Sequence, residues 1–363
     1  MKKTERQEDT LSWEDNVRKV IPYVAGEQPR KPDMIKLNTN ECPYPPAPGV
    51  ERLAAQMDYH ALRLYPDSNS TVLTEALAGY YHVKPEQVFV GVGSDDVLSM
   101  AFMTFFNSKK PILFPDVTYS FYDVWANLHR IPYKTCPLDD EWHIRPADYR
   151  QPNGGIIFPN PNAPTGVLES LESVEEIIAA NRDAVVIVDE AYVDFGGTSV
   201  LPLVEKYDNL LVVQTFSKSR AMAGLRIGFA IGNEKLIRYL NDVKFSFNSY
   251  TMNLPALILG TEAVKDEGYF REILSKIITT RERVKGELKE LGFSFPDSMA
   301  NFIFASHETI PAGQIFRALR EADIYVRHWD KPRIENYLRI TVGTDEEMDR
   351  LLTFLRDYVN RYR

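Results

Sequence analysis

The sequence is poor in cysteine: only Cys42 and Cys136 occur among its 363 residues. Two isolated cysteines cannot build a disulfide framework, and their scarcity is typical of proteins from a reducing compartment. No apolar run is long enough to span a bilayer, and residues 1–10 are charged and lack the apolar core of a signal peptide. We therefore expect a cytoplasmic protein with no membrane segment.

Blocks of positive charge are also missing. The 42 basic residues are outnumbered by 51 acidic residues, which gives a formal net charge of −9. Without a basic block, nucleic acid is not an expected partner, although a few well-placed arginines could still hold a small anion. The six histidines form no i, i+4 pair and have no cysteine at metal-site spacing, so we expect no metal.

Short apolar runs recur through the central part of the chain and alternate with helical patterns. The runs are continuous and rich in β-branched residues, which indicates strands buried on both faces. Such strands are typical of a mainly parallel sheet covered by helices, so the predicted fold class is α/β. The runs occupy residues 87–92, 111–115, 155–159, 184–188, 210–215 and 227–231.

The two ends of the chain differ in character from this centre. Apolar residues at helical spacing predict a short helix over 11–21, followed by a proline-rich extended arm. Toward the C-terminus, a long amphipathic helix over 266–291 precedes short strands and a final helix. The expected divisions are an N-terminal helix and arm (1–45) that pack on the small domain, a large domain (46–260), and a small α+β domain (261–363).

Polar residues follow several of the apolar runs, at the sheet edge where open α/β proteins bind ligands. Ser94 and Asp95 open a helix after a glycine turn, where backbone N–H groups could cradle a phosphate. Asp189 ends a wholly apolar strand, with Tyr192 three positions on. Lys218 follows another strand. In water it would be an ordinary turn lysine, but in a dry pocket its neutral amine could form a Schiff base.

Taken together, these segments resemble the sites of fold-type I pyridoxal-phosphate enzymes. Their order is a glycine turn, an aromatic residue, Asn-x-Pro-Thr-Gly, Asp-x-x-Tyr, and Ser-Lys with an arginine eight residues after the lysine. Within that group the chain is similar to the histidinol-phosphate aminotransferase family, and the resemblance covers nearly its whole length. The segments that carry the family resemblance are residues 21–23, 37–41, 64–66 and 338–343.

The resemblance implies pyridoxal 5′-phosphate as cofactor, with a role for each residue around its ring. Lys218 would hold the cofactor as a Schiff base and later shuttle a proton between the substrate carbon and the cofactor. Asp189 would pair with the protonated ring nitrogen and keep the ring an electron sink. Tyr192 would hydrogen-bond the ring oxygen, and Tyr119 would stack on the ring face. The implied catalytic residues are Lys218, Asp189 and Tyr192.

The same resemblance implies a binding site for the cofactor phosphate. Ser217, Arg226 and the backbone N–H groups of Ser94 and Asp95 would hold this group. Tyr65 would reach it from the partner subunit of a homodimer. The active site would then be composite, with residues from both subunits.

One position departs from the family pattern. The family often has asparagine directly before Pro-Thr-Gly, where its amide bonds the ring oxygen, but here that position is Ala163. Either Asn162, one residue earlier, takes over the role, or Tyr192 acts without it. We expect Asn162 to take the role.

Four further residues are implied to bind the substrates. Arg339 has the planar guanidinium fork that suits a carboxylate, and it is expected to hold the α-carboxylate of glutamate, the amino donor. Arg327, Tyr23 and Asn40 are expected at the distal phosphate or carboxylate. For Arg327, a surface ion pair is an equally good interpretation.

The implied activity is transamination of histidinol phosphate with 2-oxoglutarate to imidazole-acetol phosphate and glutamate, in histidine biosynthesis. One alternative is a related enzyme that acts on aromatic amino acids or on phosphothreonine, because the motifs that hold the cofactor serve all of these enzymes. The other alternative is a catalytically silent cofactor-binding regulator. The presence of Lys218, Asp189 and Arg226 argues against the regulator.

Overall fold

Strands and helices alternate through most of the chain in the computed structural model, which describes residues 13–362. The strands in this part are β1 (Ile35–Lys36), β2 (Val88–Gly91), β3 (Ile112–Pro115), β4 (Tyr133–Cys136), β5 (Ile156–Pro159), β6 (Val186–Asp189), β7 (Leu210–Thr215), β8 (Gly228–Gly232), β9 (Phe293–Ser294), β10 (Phe302–His307), β11 (Ile324–Tyr325), β12 (Arg327–His328) and β13 (Leu338–Thr341). The α-helices are α1 (Pro48–Ala55), α2 (Thr71–Tyr81), α3 (Ser94–Phe105), α4 (Tyr122–His129), α5 (Leu171–Ala180), α6 (Glu234–Phe247), α7 (Leu254–Lys265), α8 (Glu267–Glu290), α9 (Ala312–Glu321) and α10 (Asp345–Asn360).

Seven strands form the central sheet, in the order β2-β8-β7-β6-β5-β3-β4. Strands β3 to β7 all run parallel, whereas β8 is antiparallel to both of its neighbours, β2 and β7. Every residue of these strands is buried except at the edge strand β4. The prediction of a mainly parallel α/β sheet is confirmed, because a sheet covered on both faces requires continuously apolar strands.

Helices cover both faces of this sheet, as the side chains of β6 illustrate. Val186 and Val188 belong to one core cluster, which also contains Ile177 of α5. Ile187, between them, belongs to the cluster on the opposite face, together with Phe102 of α3. This alternation is the two-residue period of a β-strand, and it places the strand ends between two helical layers.

Four antiparallel strands form a second sheet, in the order β12-β13-β10-β9. Residues of α8, α9 and α10 share one apolar core with this sheet. A capping box begins α10, in which Thr344 and Glu347 each accept a hydrogen bond from the other's backbone N–H. The short strand β1 pairs in parallel with β11, Ile35 opposite Ile324, which fixes the N-terminal arm to this part of the fold.

The N-terminal segment contains less helix than its sequence pattern predicts. Residues 11 and 12 of the predicted helix lie outside the described part of the chain. Of the remainder, Trp13–Asn16 forms a single 3-10 turn and residues 17–21 are not helical, so the prediction is wrong for them. Trp13 is 74% exposed and Ile21 is 89% exposed. Without apolar surface to pack on, so short a helix lacks the tertiary contacts that stabilise helices.

Beyond this turn, the segment contacts both parts of the fold. Arg18 Nη1 donates a hydrogen bond to the carbonyl oxygen of Leu128 in α4 at 2.7 Å. The ring of Tyr23 stacks on that of Phe121, with the centroids 4.1 Å apart. These contacts lead the chain past the central sheet before β1 joins β11. Within residues 13–362, no helix combines the length and apolarity needed to cross a bilayer.

Candidate active site

The carboxyl ends of strands β5, β6 and β7 lie side by side and open into one inner cavity. The strand register places Pro159 opposite Asp189, and Asp189 opposite Val213. Because parallel strands end at the same sheet edge, the loops that follow them meet there. The inner cavity is lined by Ser94, Asp95, Tyr119, Pro159, Ala163, Asp189, Ala191, Tyr192, Thr215, Ser217, Lys218 and Arg226.

Asp189 is the last residue of β6 and is only 4% exposed. Tyr122 Oη donates to its Oδ2 at 2.9 Å, and the backbone N–H of Ala191 donates to its Oδ1 at 3.2 Å. Burial raises the pKa of the Asp189 carboxyl to about 6, against the opposing effect of the Tyr122 hydrogen bond. A cationic partner in the cavity would lower this pKa again and keep Asp189 ionised. Tyr122 was missed from the sequence, although it follows Tyr119 by three positions.

Lys218 follows β7 and lines the same cavity. Its Nζ donates a hydrogen bond to the carbonyl oxygen of Thr39 at 2.9 Å and lies 5.8 Å from the ring centroid of Tyr192. Burial and, to a lesser extent, the positive charge of Arg339 lower the pKa of Lys218 to about 8. A substantial fraction of neutral amine is therefore present near neutral pH, as a nucleophilic lysine requires.

The turn before α3 brings two backbone segments into close contact. Gly93 has φ of +83°, a conformation that favours glycine. A Cβ atom on Gly228 would lie 2.3 Å from both the backbone nitrogen of Ser94 and the carbonyl carbon of Gly93. The N–H groups in the first turn of α3, including those of Ser94 and Asp95, lack partners within the helix. They can therefore bind an anion at the cavity wall.

A guanidinium group and two hydroxyl groups face this helix start. Arg226 Nη1 donates to Ser217 Oγ at 3.3 Å, and its Nη2 lies 3.5 Å from Asp95 Oδ2. Thr215 Oγ1 donates to Ser217 Oγ at 3.1 Å. Together with the N–H groups of α3, these side chains have the chemistry of a phosphate site. Thr215 was not predicted, although its place as the last residue of β7 would have indicated it.

Two tyrosines complete the walls of the inner cavity. Tyr192 Oη accepts a hydrogen bond from Asn40 Nδ2 at 2.9 Å, and burial raises the pKa of Tyr192, so its hydroxyl keeps a proton to donate. Tyr119 Oη donates to Asp95 Oδ1 at 2.8 Å. The other end of the Asn40 amide accepts from Thr341 Oγ1 at 2.9 Å. Both ends of Asn40 are thus engaged, and the residue orients Tyr192.

Comparison with known proteins identifies the family to which these residues belong. Residues 32–355 match the profile of the family described as "Aminotransferase class I and II". The chain is 52% identical over 349 residues to the "Histidinol-phosphate aminotransferase" of Lactococcus lactis subsp. cremoris (strain MG1363), across 96% of this chain and 98% of that protein. It is 53% identical over 345 residues to "Histidinol-phosphate aminotransferase 1" of Hydrogenovibrio crunogenus, across 95% and 97% of the two chains. The chain belongs to the histidinol-phosphate aminotransferase family.

Solved structures of proteins that are less similar in sequence share the fold of this aminotransferase. The histidinol-phosphate aminotransferase from Clostridium acetobutylicum superposes with a TM-score of 0.84 at 22% identity, over 90% of this chain and 100% of that chain. The enzyme from Sinorhizobium meliloti, solved in complex with pyridoxal-5'-phosphate, superposes with a TM-score of 0.82 at 22% identity, over 91% and 92%. These similarities confirm the predicted fold-type I architecture.

The cofactor of this aminotransferase is pyridoxal 5′-phosphate, and the inner cavity fits it. Asp189 is a buried carboxylate whose raised pKa marks the need for a cationic partner, such as a protonated ring nitrogen. Lys218 supplies an amine that is partly neutral near pH 7. Arg226 and the start of α3 supply an anion site in the same cavity. The cavity therefore has one group for each polar end of the cofactor.

The pKa of Lys218 predicts how the apoenzyme captures its cofactor at different pH values. Only the neutral amine attacks an aldehyde, so the rate of covalent capture should rise with pH and level off above about pH 8. Stopped-flow absorbance of apoenzyme mixed with pyridoxal phosphate measures this rate. Arg339→Gln removes a nearby positive charge and should raise the pKa of Lys218. The midpoint of the pH dependence of the capture rate should therefore move to higher pH. A capture rate that does not change with pH would contradict the assignment.

Asn162 is absent from the residues that line the inner cavity. Its Nδ2 donates to the carbonyl oxygen of Val117 and to Thr165 Oγ1, both at 3.0 Å, which fixes the turn after β5. Ala163, not Asn162, lines the inner cavity. The geometry therefore favours the other alternative, in which Tyr192 bonds the ring oxygen without an asparagine.

A larger outer cavity adjoins the inner one and shares Tyr119, Ala163, Tyr192 and Lys218 with it. All four predicted substrate-binding residues, Tyr23, Asn40, Arg327 and Arg339, line it. Lys331 and Trp329 also line it and were missed, because nothing in their sequence context distinguishes them from ordinary loop residues.

Arg339 is the best-prepared anion ligand in the outer cavity. Its Nη2 donates to the carbonyl oxygen of Asn38 at 3.0 Å, while its buried Nε has no partner among the described residues. Burial lowers the pKa of Arg339, and the positive charge of Arg327 lowers it further. An incoming carboxylate would accept a hydrogen bond from the unpartnered N–H and offset the cost of burying the guanidinium charge.

Tyr65 is not brought to the cavity of its own chain. It is 82% exposed, and its ring contacts that of Tyr250, with the centroids 4.7 Å apart. The loop that carries it is held by Lys244, whose Nζ donates to the carbonyl oxygen of Ser68 at 2.6 Å. Tyr65 is therefore an exposed aromatic residue on an anchored loop.

Proposed function

We propose that this aminotransferase transfers the amino group between histidinol phosphate and 2-oxoglutarate, forming imidazole-acetol phosphate and glutamate, as a step of histidine biosynthesis. The identity of about half of the residues with relatives of that name, over nearly their full length, supports this assignment. The observation that carries it is the outer cavity, where Arg327, Lys331 and Arg339 present three cationic groups next to Lys218. A substrate with a phosphate and a donor with two carboxylates both need such groups.

Each residue of the inner cavity has a proposed task. When bound, pyridoxal phosphate supplies an electron sink for the substrate carbon that carries the amine. Lys218 Nζ accepts and returns the proton of that carbon. Asp189 holds the positively charged ring nitrogen, and Tyr192 donates a hydrogen bond to the ring oxygen. Tyr119 packs against the ring face.

Anion-binding groups are proposed at both ends of the site. Ser217, Arg226 and the N–H groups of Ser94 and Asp95 hold the cofactor phosphate. In the outer cavity, Arg339 holds the α-carboxylate of glutamate, because its unpartnered Nε–H can donate a hydrogen bond to a carboxylate oxygen.

The distal group of either substrate is proposed to meet Arg327 and Tyr23. Arg327 Nη2 reaches the carbonyl oxygen of Val24 at 3.4 Å, and its guanidinium lies over the ring of Trp329. Neither contact neutralises its charge, which leaves the guanidinium available for a phosphate or carboxylate.

A substrate panel tests the assignment. With 2-oxoglutarate as the amino acceptor, histidinol phosphate should give a kcat/KM at least about 100-fold above that of phenylalanine, because phenylalanine has no phosphate to pair with the cationic groups of the outer cavity. Phosphothreonine should be neither decarboxylated nor transaminated at a comparable rate. Coupled spectrophotometric assays with each amine as the sole variable measure these values. If phenylalanine or phosphothreonine is the better substrate, the proposal is wrong.

We further propose a cytoplasmic homodimer in which Tyr65 reaches the cofactor phosphate of the partner subunit. The free cysteines Cys42 and Cys136 fit a reducing compartment. Exposed aromatic and aliphatic side chains occur in the segment that carries Tyr65 and in the segment of Tyr250, which its ring contacts, and they support burial of this face against a second copy. Those side chains are Tyr59, Leu62, Leu64, Val72, Phe245, Phe247 and Tyr250.

Mixed dimers test whether Tyr65 acts across the interface. Tyr65→Phe alone should weaken cofactor binding about tenfold, because a hydrogen bond to a charged phosphate is lost. Mixing Tyr65→Phe chains with Lys218→Ala chains should then restore one intact site per mixed dimer. Turnover of the mixture at limiting cofactor, compared with each variant alone, measures this. Absence of any gain on mixing would show that Tyr65 does not act in the partner's site.

A further inference from the structure

The residue after the nucleophilic lysine is tied to the neighbouring strand's loop. Ser219 is 1% exposed, and its Oγ donates a hydrogen bond to Asp194 Oδ2 at 2.5 Å. Asp194 belongs to the 3-10 turn Val193–Phe195, which begins directly after Tyr192. One hydrogen bond therefore joins the loop that carries Lys218 to the turn that carries Tyr192.

The next residue, Arg220, is anchored as firmly. It is 6% exposed, and its Nη1 donates to the carbonyl oxygen of Ala263 in α7 at 2.9 Å. Its guanidinium lies 4.1 Å from the ring centroid of Phe270, and the rings of Tyr80 and Phe216 are also close. Such cation–π contacts fix the guanidinium plane. Two consecutive residues after Lys218 are thus immobilised by groups outside the active-site cavity.

We propose that Asp194, through Ser219, is a positioning residue that fixes the backbone of Lys218 while the lysine side chain changes partners. In this structure Lys218 Nζ bonds the carbonyl oxygen of Thr39, so the amine must leave that contact to reach a cofactor or a substrate carbon. A flexible four-carbon stem can make that movement reproducibly only if its Cα stays in place. The inference rests on the role of Lys218 under the proposed function.

Geometry of this kind has large kinetic effects, because a misplacement of about 1 Å at the reacting group can cost about 100-fold in rate. Neither Asp194 nor Ser219 needs to touch the cofactor for this effect. Asp194 is absent from the inner cavity wall, whereas Tyr192 and Lys218, which flank the bond on either side, both line it. The hydrogen bond between Ser219 and Asp194 therefore fixes the separation of Tyr192 and Lys218 from outside the cavity.

Capture of the cofactor by the apoenzyme is the direct readout. In this step Lys218 Nζ bonds to the aldehyde carbon of pyridoxal phosphate, and the carbonyl oxygen leaves as water. Borohydride reduction at timed intervals, followed by mass spectrometry of the Lys218 peptide, measures how fast the bond forms. Ser219→Ala and Asp194→Ala should each slow capture and lower kcat about tenfold, with KM for both substrates within about twofold.

Conservative and double variants separate positioning from general destabilisation. Ser219→Thr keeps the hydroxyl and should restore the capture rate to within about twofold of wild type, and Asp194→Asn should do likewise because its amide oxygen still accepts. The double variant Ser219→Ala/Asp194→Ala should capture the cofactor no more slowly than either single variant. The same hydrogen bond is lost in all three. Additive losses would overturn the proposal.

Ser199→Ala is the matched control. Ser199 Oγ donates to Glu190 Oε2 at 2.6 Å, a serine–carboxylate bond of the same kind that does not involve the Lys218 loop. It should lower the melting temperature about as much as Ser219→Ala but leave the capture rate unchanged. If all three alanine variants lose stability and none slows capture, Asp194 is only structural and the proposal fails.

The proposal and the substrate assignment can fail separately. If wild-type protein captures pyridoxal phosphate but does not transaminate histidinol phosphate, the substrate assignment is wrong, while slowed capture in Ser219→Ala still supports positioning. If Asp194→Ala does not fold, Ser219→Ala and Ser219→Thr carry the test by themselves. Equal capture rates in that pair would overturn it.

Discussion

Replacing Lys218 with alanine should abolish covalent capture of pyridoxal phosphate and lower turnover about 10⁴-fold or more, since both the nucleophile and the proton carrier are lost. Within residues 13–362, Lys218 is the lysine that lines the inner cavity. Borohydride reduction followed by mass spectrometry should find no cofactor on the Lys218→Ala chain. Steady-state kinetics at saturating cofactor measures the loss of turnover.

The stability cost of this substitution should be small or negative. Burial lowers the pKa of Lys218 to about 8, so the protonated lysine is less stable in the folded chain than in water. Below pH 8 the wild-type chain carries this cost in full, and it diminishes as the pH rises toward the pKa of the unfolded chain. Lys206→Ala, which removes an exposed lysine paired with Glu175, is the control and should keep both capture and turnover. Covalent cofactor on Lys218→Ala would refute the assignment.

Asp189→Asn should have the second largest effect, a loss of about 10²–10³-fold in kcat at saturating cofactor. The substitution keeps the shape of the side chain, but its one carbonyl oxygen can accept only one of the two hydrogen bonds that Tyr122 and Ala191 donate to the carboxylate. What it removes is the negative charge that holds a protonated ring nitrogen. Affinity for pyridoxal phosphate should fall as well, because a buried ion pair becomes a neutral contact.

Glu190→Gln provides the matched control for Asp189→Asn. Burial raises the pKa of Glu190 to about 7, and its carboxylate accepts from Ser199, Val200 and Gln214 without lining the inner cavity. Loss of this charge should alter the free energy of unfolding but leave kcat within about threefold of wild type. Equal kinetic losses in the two variants would show that the charge at Asp189 has no special role. Fluorescence titration of each apoenzyme with pyridoxal phosphate supplies the affinities.

Much of the central fold could be predicted, because the buried strands are continuous apolar runs that only a covered sheet accommodates. The same logic placed Asp189 and Lys218 correctly at the ends of neighbouring strands. A polar residue buried at a strand end costs stability unless it has a partner, so Asp189 and Lys218 stood out from the apolar runs before them. The family assignment was confirmed by relatives that share about half of their residues with this chain over nearly its full length. The domain boundaries at residues 45 and 260 stay a prediction.

Contacts between distant segments could not be predicted in the same way. Thr39 precedes Lys218 by 179 positions, and Asn40 is 152 positions from the Tyr192 that it orients. No local pattern encodes such pairs, because each depends on how the N-terminal arm crosses the sheet edge. The wrong prediction of helix at residues 17–21 has the same origin: the apolar spacing suited a helix, but the chain offers those side chains no surface to pack on.

By itself, the sequence determined six of the seven strands of the central sheet, the family, and the residue types at the carboxyl ends of the strands. Local apolar patterns and short motifs carry that information. Tertiary structure alone decided which of those polar groups face the cavity. In the folded chain, Asn162 bonds the backbone of Val117 and Tyr65 is exposed on the surface. Asp194 accepts a hydrogen bond from Ser219, the residue after Lys218. Side-chain direction is set by packing between elements far apart in the chain, which a single sequence does not record.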